Sequence, residues 1–126
     1  MEKIIEHLRS LPKLLTKEPD VLREETNTFV GCSLNRPVSK GIVLRVLSEK
    51  RLQSFDWEWK DQGNTGAVRL LDKVPGTRQR IQTISVKFIS PKKILIFGPR
   101  VLSEKQRGLL GAFLTHLNNV LTEPVT

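Results

Sequence analysis

KKILIFGPRVLSEKQRGLLGAFLTHLNNVL, residues 92–121, is the stretch on which the fold turns. Lys93–Phe97 is apolar after its first residue and rich in β-branched types, which suits a strand in a sheet interior. Gly98-Pro99 should stop that strand, because proline has no amide for a ladder. Ser103 then stands at an N-cap position with Gln106 three residues on, so Ser-Glu-Lys-Gln fits a capping box. The helix so opened, 103–121, carries no formal charge between Arg107 and Glu123 if histidine is neutral. Leu110, Phe113, Leu114, Leu117 and Leu121 make one apolar stripe at helical spacing. Gly108, Gly111, Ala112, Thr115 and Asn119 fall on the opposite side, where a surface helix ordinarily places lysine and glutamate. Glycine costs a helix roughly 1 kcal/mol relative to alanine, so small residues at this spacing predict cover by another helix. The cover is the amphipathic N-terminal segment, its counterpart in a second chain, or both. A homodimer through the terminal helices is expected.

Towards the N-terminus, Ile81–Ile89 places Ile84, Val86 and Phe88 on one face, and Ser90-Pro91-Lys92 joins it to the strand at Lys93. Ala67–Val74 reads as the return arm of a hairpin turned at 62–66, and Pro75-Gly76-Thr77 as the next turn. Its first arm has the clearest alternation in the chain. Phe55, Trp57 and Trp59 point one way and Asp56, Glu58 and Lys60 the other, which predicts a half-buried strand with the aromatics inward. Gly41–Leu47 and Thr28–Leu34 complete six candidate strands, separated by Asn35-Arg36-Pro37, with Ser48 expected to cap one helical turn before Phe55. Segment 1–26 reads as helical. Ile4, Ile5, Leu8, Leu11 and Leu15 recur at helical spacing, Pro12 ends or kinks that helix, and Pro19 opens a second one with Asp20, Glu24 and Glu25 near its start. The expected fold is α/β of the α+β kind. It is a single domain, 1–126, with one largely antiparallel sheet of about six strands over 27–97 and the N- and C-terminal helices on one side. The hexapeptide Arg-Val-Leu-Ser-Glu-Lys occurs twice, at 45–50 and 100–105, but the match extends no further and reads as coincidence.

At 126 residues the chain is long enough to bury a core without metal or disulfide staples. No apolar run approaches the ~20 residues of a membrane span. Glu2 and Glu6 count against an N-terminal targeting peptide. Cys32 is the only cysteine, so no internal disulfide is possible, and a cytoplasmic setting is expected. The net charge of +8 is concentrated. Residues 1–72 hold 12 Lys/Arg against 11 Asp/Glu, whereas residues 73–107 hold nine cations against Glu104 alone. Arg78, Arg80, Lys87, Lys92, Lys93, Arg100, Lys105 and Arg107 are therefore candidate contacts for an anionic partner. Three of them, Arg100, Lys105 and Arg107, flank a helix start, where free amides already favour anions.

Little looks catalytic. His7 and His116 are each alone on a helix, and no metal site or cofactor motif can be drawn. Cys32 reads as a small buried hydrophobe. Glu58 and Lys60 form an E-x-K pair of the kind that helps hold a metal ion in some nucleases, but no second acid is suitably placed, and alternating charge on a solvated strand explains it.

Gly98, Leu102-Ser103-Glu104, Leu109-Leu110 and Ala112-Phe113 resemble the closing strand and helix of GAF-type sensory domains. The resemblance covers residues 94–121 and implies a GAF/profilin-like layout, a six-stranded antiparallel sheet with terminal helices on one side. The short connections, and the lack of a chromophore cysteine or cyclic-nucleotide motif, point to a ligandless interaction module. The expected function is a non-enzymatic binding or regulatory module that self-associates and offers a basic face. The alternative is nucleic-acid binding through phosphate contacts in 73–107, although aromatics are few, tyrosine is absent and the two tryptophans alternate as if buried, so the sequence shows no stacking platform; a third is a metal-dependent nuclease at Glu58 and Lys60.

Overall fold

Alternation along the strands sorts their side chains into two sets, and helices cover only one of them. The computed structural model describes residues 1–52, 55–60, 65–73 and 76–123. Its strands are β1 (Asp20–Arg23), β2 (Asn27–Ser33), β3 (Phe55–Lys60), β4 (Thr65–Lys73), β5 (Arg80–Ser90) and β6 (Lys93–Pro99). Its α-helices are α1 (Glu2–Ser10), α2 (Lys40–Leu47) and α3 (Glu104–Leu121). The strands form one open sheet in the order β1-β2-β6-β5-β4-β3, with every neighbouring pair antiparallel. The α+β expectation holds, with six strands and three α-helices among the described residues.

The inward set is Val30, Val68, Ile84, Val86, Phe88 and Ile96 with their neighbours, each no more than 1% exposed. It packs with Ile4, Ile5 and Leu8 of α1, Val43 and Val46 of α2, and the Leu110–Leu121 stripe of α3 in one apolar cluster. Burial at roughly 25 cal/mol per Å² of apolar surface is the main force holding the helices on this face. Ser103 accepts from the Gln106 amide at 3.1 Å and Gln106 Oε1 accepts from the Ser103 amide at 2.9 Å, completing the capping box. His7 Nε2 of α1 lies 3.1 Å from the Gly111 carbonyl oxygen and 2.8 Å from Thr115 Oγ1, tying α1 to α3.

Four expectations are corrected. Pro19 does not open a helix: residues 20–23 form the edge strand β1, a hairpin arm that pairs Val21 with Val30 and Leu22 with Phe29. The acids Glu24 and Glu25 fall in its turn, where the Glu24 amide donates to the Asn27 carbonyl at 2.8 Å. Gly41–Leu47 is not a strand but lies in α2. Ser39 caps it through the Ile42 amide at 3.4 Å, and the buried Val43 and Val46 are spaced for a helix. Tertiary packing has overridden the β-propensity of that run. Ser48 closes α2, its hydroxyl donating to the Arg45 carbonyl at 2.6 Å, although a 3₁₀ turn at Lys50–Leu52 does follow. Gly98-Pro99 does not stop β6, because Thr28 pairs with Gly98 and Asn27 with Pro99. The turns expected at 62–66 and 75–77 lie largely outside the described residues.

Phe55 is buried and meets Phe113 at 5.5 Å between ring centroids, while Trp57 and Trp59 are half-buried towards the same side. Trp59 packs on Phe88 at 5.6 Å and lies across Gly66. A Cβ at Gly66 would meet Trp59 Cε3 at 2.5 Å and the Glu58 oxygen at 2.6 Å, so the hairpin needs glycine there.

Candidate binding face

Backbone register separates the cations of segment 73–107 into groups. Lys73 pairs with Arg80, and Lys105 Nζ lies 3.8 Å from Asp72 Oδ1, so the β4–β5 connection and the start of α3 share one end of the sheet. Arg78 and Arg80 belong to that end, with Arg100, Lys105 and Arg107; the Arg80 side chain lies outside the described residues. Lys92 is in the β5–β6 turn at the opposite end. Lys87 and Lys93 project from the uncovered face of the sheet. Among the described residues, Arg78, Lys87, Lys92, Lys93, Arg100 and Arg107 have no carboxylate within ion-pairing distance. The segment is therefore largely unpaired, but it does not make one contiguous face.

The small residues of α3 are also divided. Gly111 and Thr115 are taken up within the chain by His7. Ala112 is half-buried, and Gly108 and Asn119 remain exposed. A Cβ at Gly108 would have nothing within 4 Å.

The uncovered face of the sheet holds the groups that sequence reasoning missed. Cross-strand pairing aligns Leu22, Phe29, Phe97, Ser85, Arg69 and Asp56 in one row across all six strands. Phe29 and Phe97 sit on adjacent strands, half-buried, with ring centroids 4.8 Å apart and planes tilted by 44°. Leu22 beside them is 61% exposed. The next row runs from Asp20 through Gly31, Leu95, Lys87 and Ala67 to Glu58. The signal for this apolar patch was present in the sequence. In Lys93–Phe97 every residue after the first is apolar, so a strand covered on one face only must show Leu95 and Phe97 on the other.

Beyond Ser85 the face turns polar and concave. A depression of about 490 Å³ is lined by Glu58, Lys60, Arg69, Lys87 and Ile89, among others. Arg69 Nη2 donates to Glu58 Oε2 at 3.0 Å. Arg69 Nε and Ser85 Oγ are buried without a hydrogen-bond partner, an arrangement that ordinarily costs free energy.

Cys32 points inward and is 4% exposed, and its thiol is pushed up to about 12 by burial and by the Asp20 charge, so it is not a poised nucleophile. Among the described residues no group of three or more His, Cys, Asp or Glu is placed to hold a metal ion. Glu58 of the E-x-K pair is engaged by Arg69.

The chain matches no protein-family model, no curated protein and no solved structure. No helix of the described residues is long and apolar enough to cross a membrane.

Proposed function

We propose that the protein is a non-enzymatic binding module that holds single-stranded nucleic acid across the uncovered face of its sheet. The observation that carries this reading is the Phe29–Phe97 pair, two partly exposed rings on adjacent strands near the middle of that face. Rings set there do little for the core, which lies on the other side. Every base has a π-face, and stacking on an aromatic side chain is worth about 1–3 kcal/mol per base. Lys87 stands in the next cross-strand row and Lys93 in the row beyond, neither with a carboxylate partner among the described residues, so cations lie within reach of a polyanion whose bases sit on the rings. A duplex is a poorer fit, because its bases are already stacked on one another. An acidic protein partner would use the cations but has no need of two rings presented side by side.

Fluorescence polarisation with labelled oligonucleotides of about ten nucleotides, the size range of small single-strand-binding domains, tests the reading. Single-stranded RNA or DNA is expected to bind, the matching duplex more weakly, and a glutamate-rich peptide more weakly still. Phe29→Ala with Phe97→Ala should weaken single-strand binding at least about tenfold, in line with the loss of stacking. No single-strand binding at low salt, or equal affinity for the acidic peptide, would contradict the reading.

A further inference from the structure

We infer that the depression between β3, β4 and β5 is a phosphate subsite, in which Lys60, Lys87 and Arg69 surround one phosphate group and Ser85 lies beside them. This deepens the reading above and rests on it for the carrier of the phosphate, which is a phosphodiester of the bound strand. The site itself stands on different residues from the stacking pair.

Its charge is favourable. Glu58 is the one acid in the lining among the described residues, and Arg69 Nη2 holds it at 3.0 Å, so that pair is close to neutral. Lys60 and Lys87 then remain as two exposed cations over the same concavity, with no carboxylate in ion-pairing distance among the described residues. Its unmet hydrogen bonds point the same way. Ser85 is 1% exposed, lies in the same cross-strand row as Arg69, and its hydroxyl has no partner. Arg69 Nε is likewise buried and unpartnered. A hydroxyl and a guanidinium N–H are the donors that a tetrahedral oxyanion accepts from, and a charge-assisted bond to phosphate is roughly twice as strong as a neutral one. The position also suits a strand lying across the face. Ser85 stands directly between Phe97 and Arg69 in the row, so the stacking rings on β2 and β6 adjoin the cationic depression, which begins on β5 one strand spacing of about 5 Å from Phe97. Bases on the rings and a phosphate in the depression can thus belong to one chain.

The experiment has two arms, read on the wild type and on Lys60→Gln/Lys87→Gln. Both lysines are surface-exposed, and an unchanged thermal melt confirms that the variant folds. In the first arm, inorganic pyrophosphate is titrated while amide shifts are followed by NMR. The subsite predicts shifts centred on Arg69, Ser85 and Lys87, and at least about tenfold weaker binding in the variant, as for loss of charge-assisted bonds. In the second arm, affinity for a single-stranded RNA of about ten nucleotides is measured against salt. Removing the two lysines should flatten the slope by roughly 0.7 log units per neutralised phosphate. As a control, Arg78→Gln/Lys92→Gln removes two unpaired cations away from the depression and should leave pyrophosphate binding unchanged. Pyrophosphate binding that survives Lys60→Gln/Lys87→Gln, or that falls equally in the control, overturns the subsite. RNA binding that needs Phe29 and Phe97 but keeps its salt slope in the lysine variant also overturns the subsite, and leaves the proposed function standing. Pyrophosphate held at Lys60 and Lys87 by a protein that binds no RNA supports the subsite and removes the proposed function.

Discussion

The two faces of this sheet are written by the same strands and obey different rules. On the covered face Val30, Ile84, Val86, Phe88, Ile94 and Ile96 are all at or below 1% exposure, pressed against three helices. One residue along each strand, on the other face, stand Phe29, Ser85, Lys87, Leu95 and Phe97 with no helix over them. The covered face is explained by folding. The uncovered one carries partly buried rings, exposed lysines and a buried, unpartnered hydroxyl, which the proposed function assigns to a ligand. Truncations on the two faces should therefore have different signatures, one in stability and the other in binding.

The largest effect is expected from the covered face. Phe88→Ala or Phe113→Ala should lower stability by about 3–5 kcal/mol in urea titrations, since both rings are fully buried. Phe29→Ala and Phe97→Ala should each cost no more than about half as much. Equal losses on both faces would show that the exposed rings serve the core after all. A smaller effect is expected where the faces meet at the β3–β4 edge. Gly66→Ala forces Trp59 aside and should cost about 1–3 kcal/mol, as overpacking does, with a change in tryptophan fluorescence. A neutral substitution would mean that Trp59 does not lie on Gly66.

Cys32 sharpens the contrast through pH. Burial holds its folded-state thiol up to about 12, against the ordinary 9.0 when unfolded. A raised pKa contributes stability that is fully present below about pH 9 and is lost as pH rises towards 12. Stability measured over that interval should fall, and Cys32→Ala, less stable at neutral pH, should show a flatter alkaline limb. Parallel limbs would contradict the inward placement of the thiol. The smallest effect is a gain. Gly108 lies in α3 with open space around it, so Gly108→Ala should stabilise the fold by roughly 1 kcal/mol and leave sedimentation unchanged. If a second chain packs on that helix, the added methyl should instead weaken self-association.

Most of the covered face was legible because burial imposes period and capping. The alternation at 55–60 and the stripe at 84, 86 and 88 carry their own phase, and Ser103 with Gln106 announces α3. The misreadings come where two forces compete over a short run. In Gly41–Leu47, β-branched residues argued for a strand, whereas Ser39 and the spacing of Val43 and Val46 decided for a helix. Asp20–Arg23 has only four residues, too few to show alternation, and its acids looked like a helix start. The candidate site was less legible for a different reason. Charge could be counted along 73–107, but its distribution depends on register, and register sends Arg78 and Arg100 to one end and Lys92 to the other. Phe29 and Phe97 stand 68 positions apart, and only the β2–β6 pairing brings them together.

The central claim is that the uncovered face is the binding surface, and amide chemical-shift mapping with an unlabelled single-stranded oligonucleotide tests it most directly. The account predicts that the largest shifts fall on Phe29, Gly31, Leu95 and Phe97, spreading to Ser85 and Lys87, with α1 and α2 silent. Shifts confined to the start of α3 around Arg100, Lys105 and Arg107, with Phe29 and Phe97 unmoved, would contradict it.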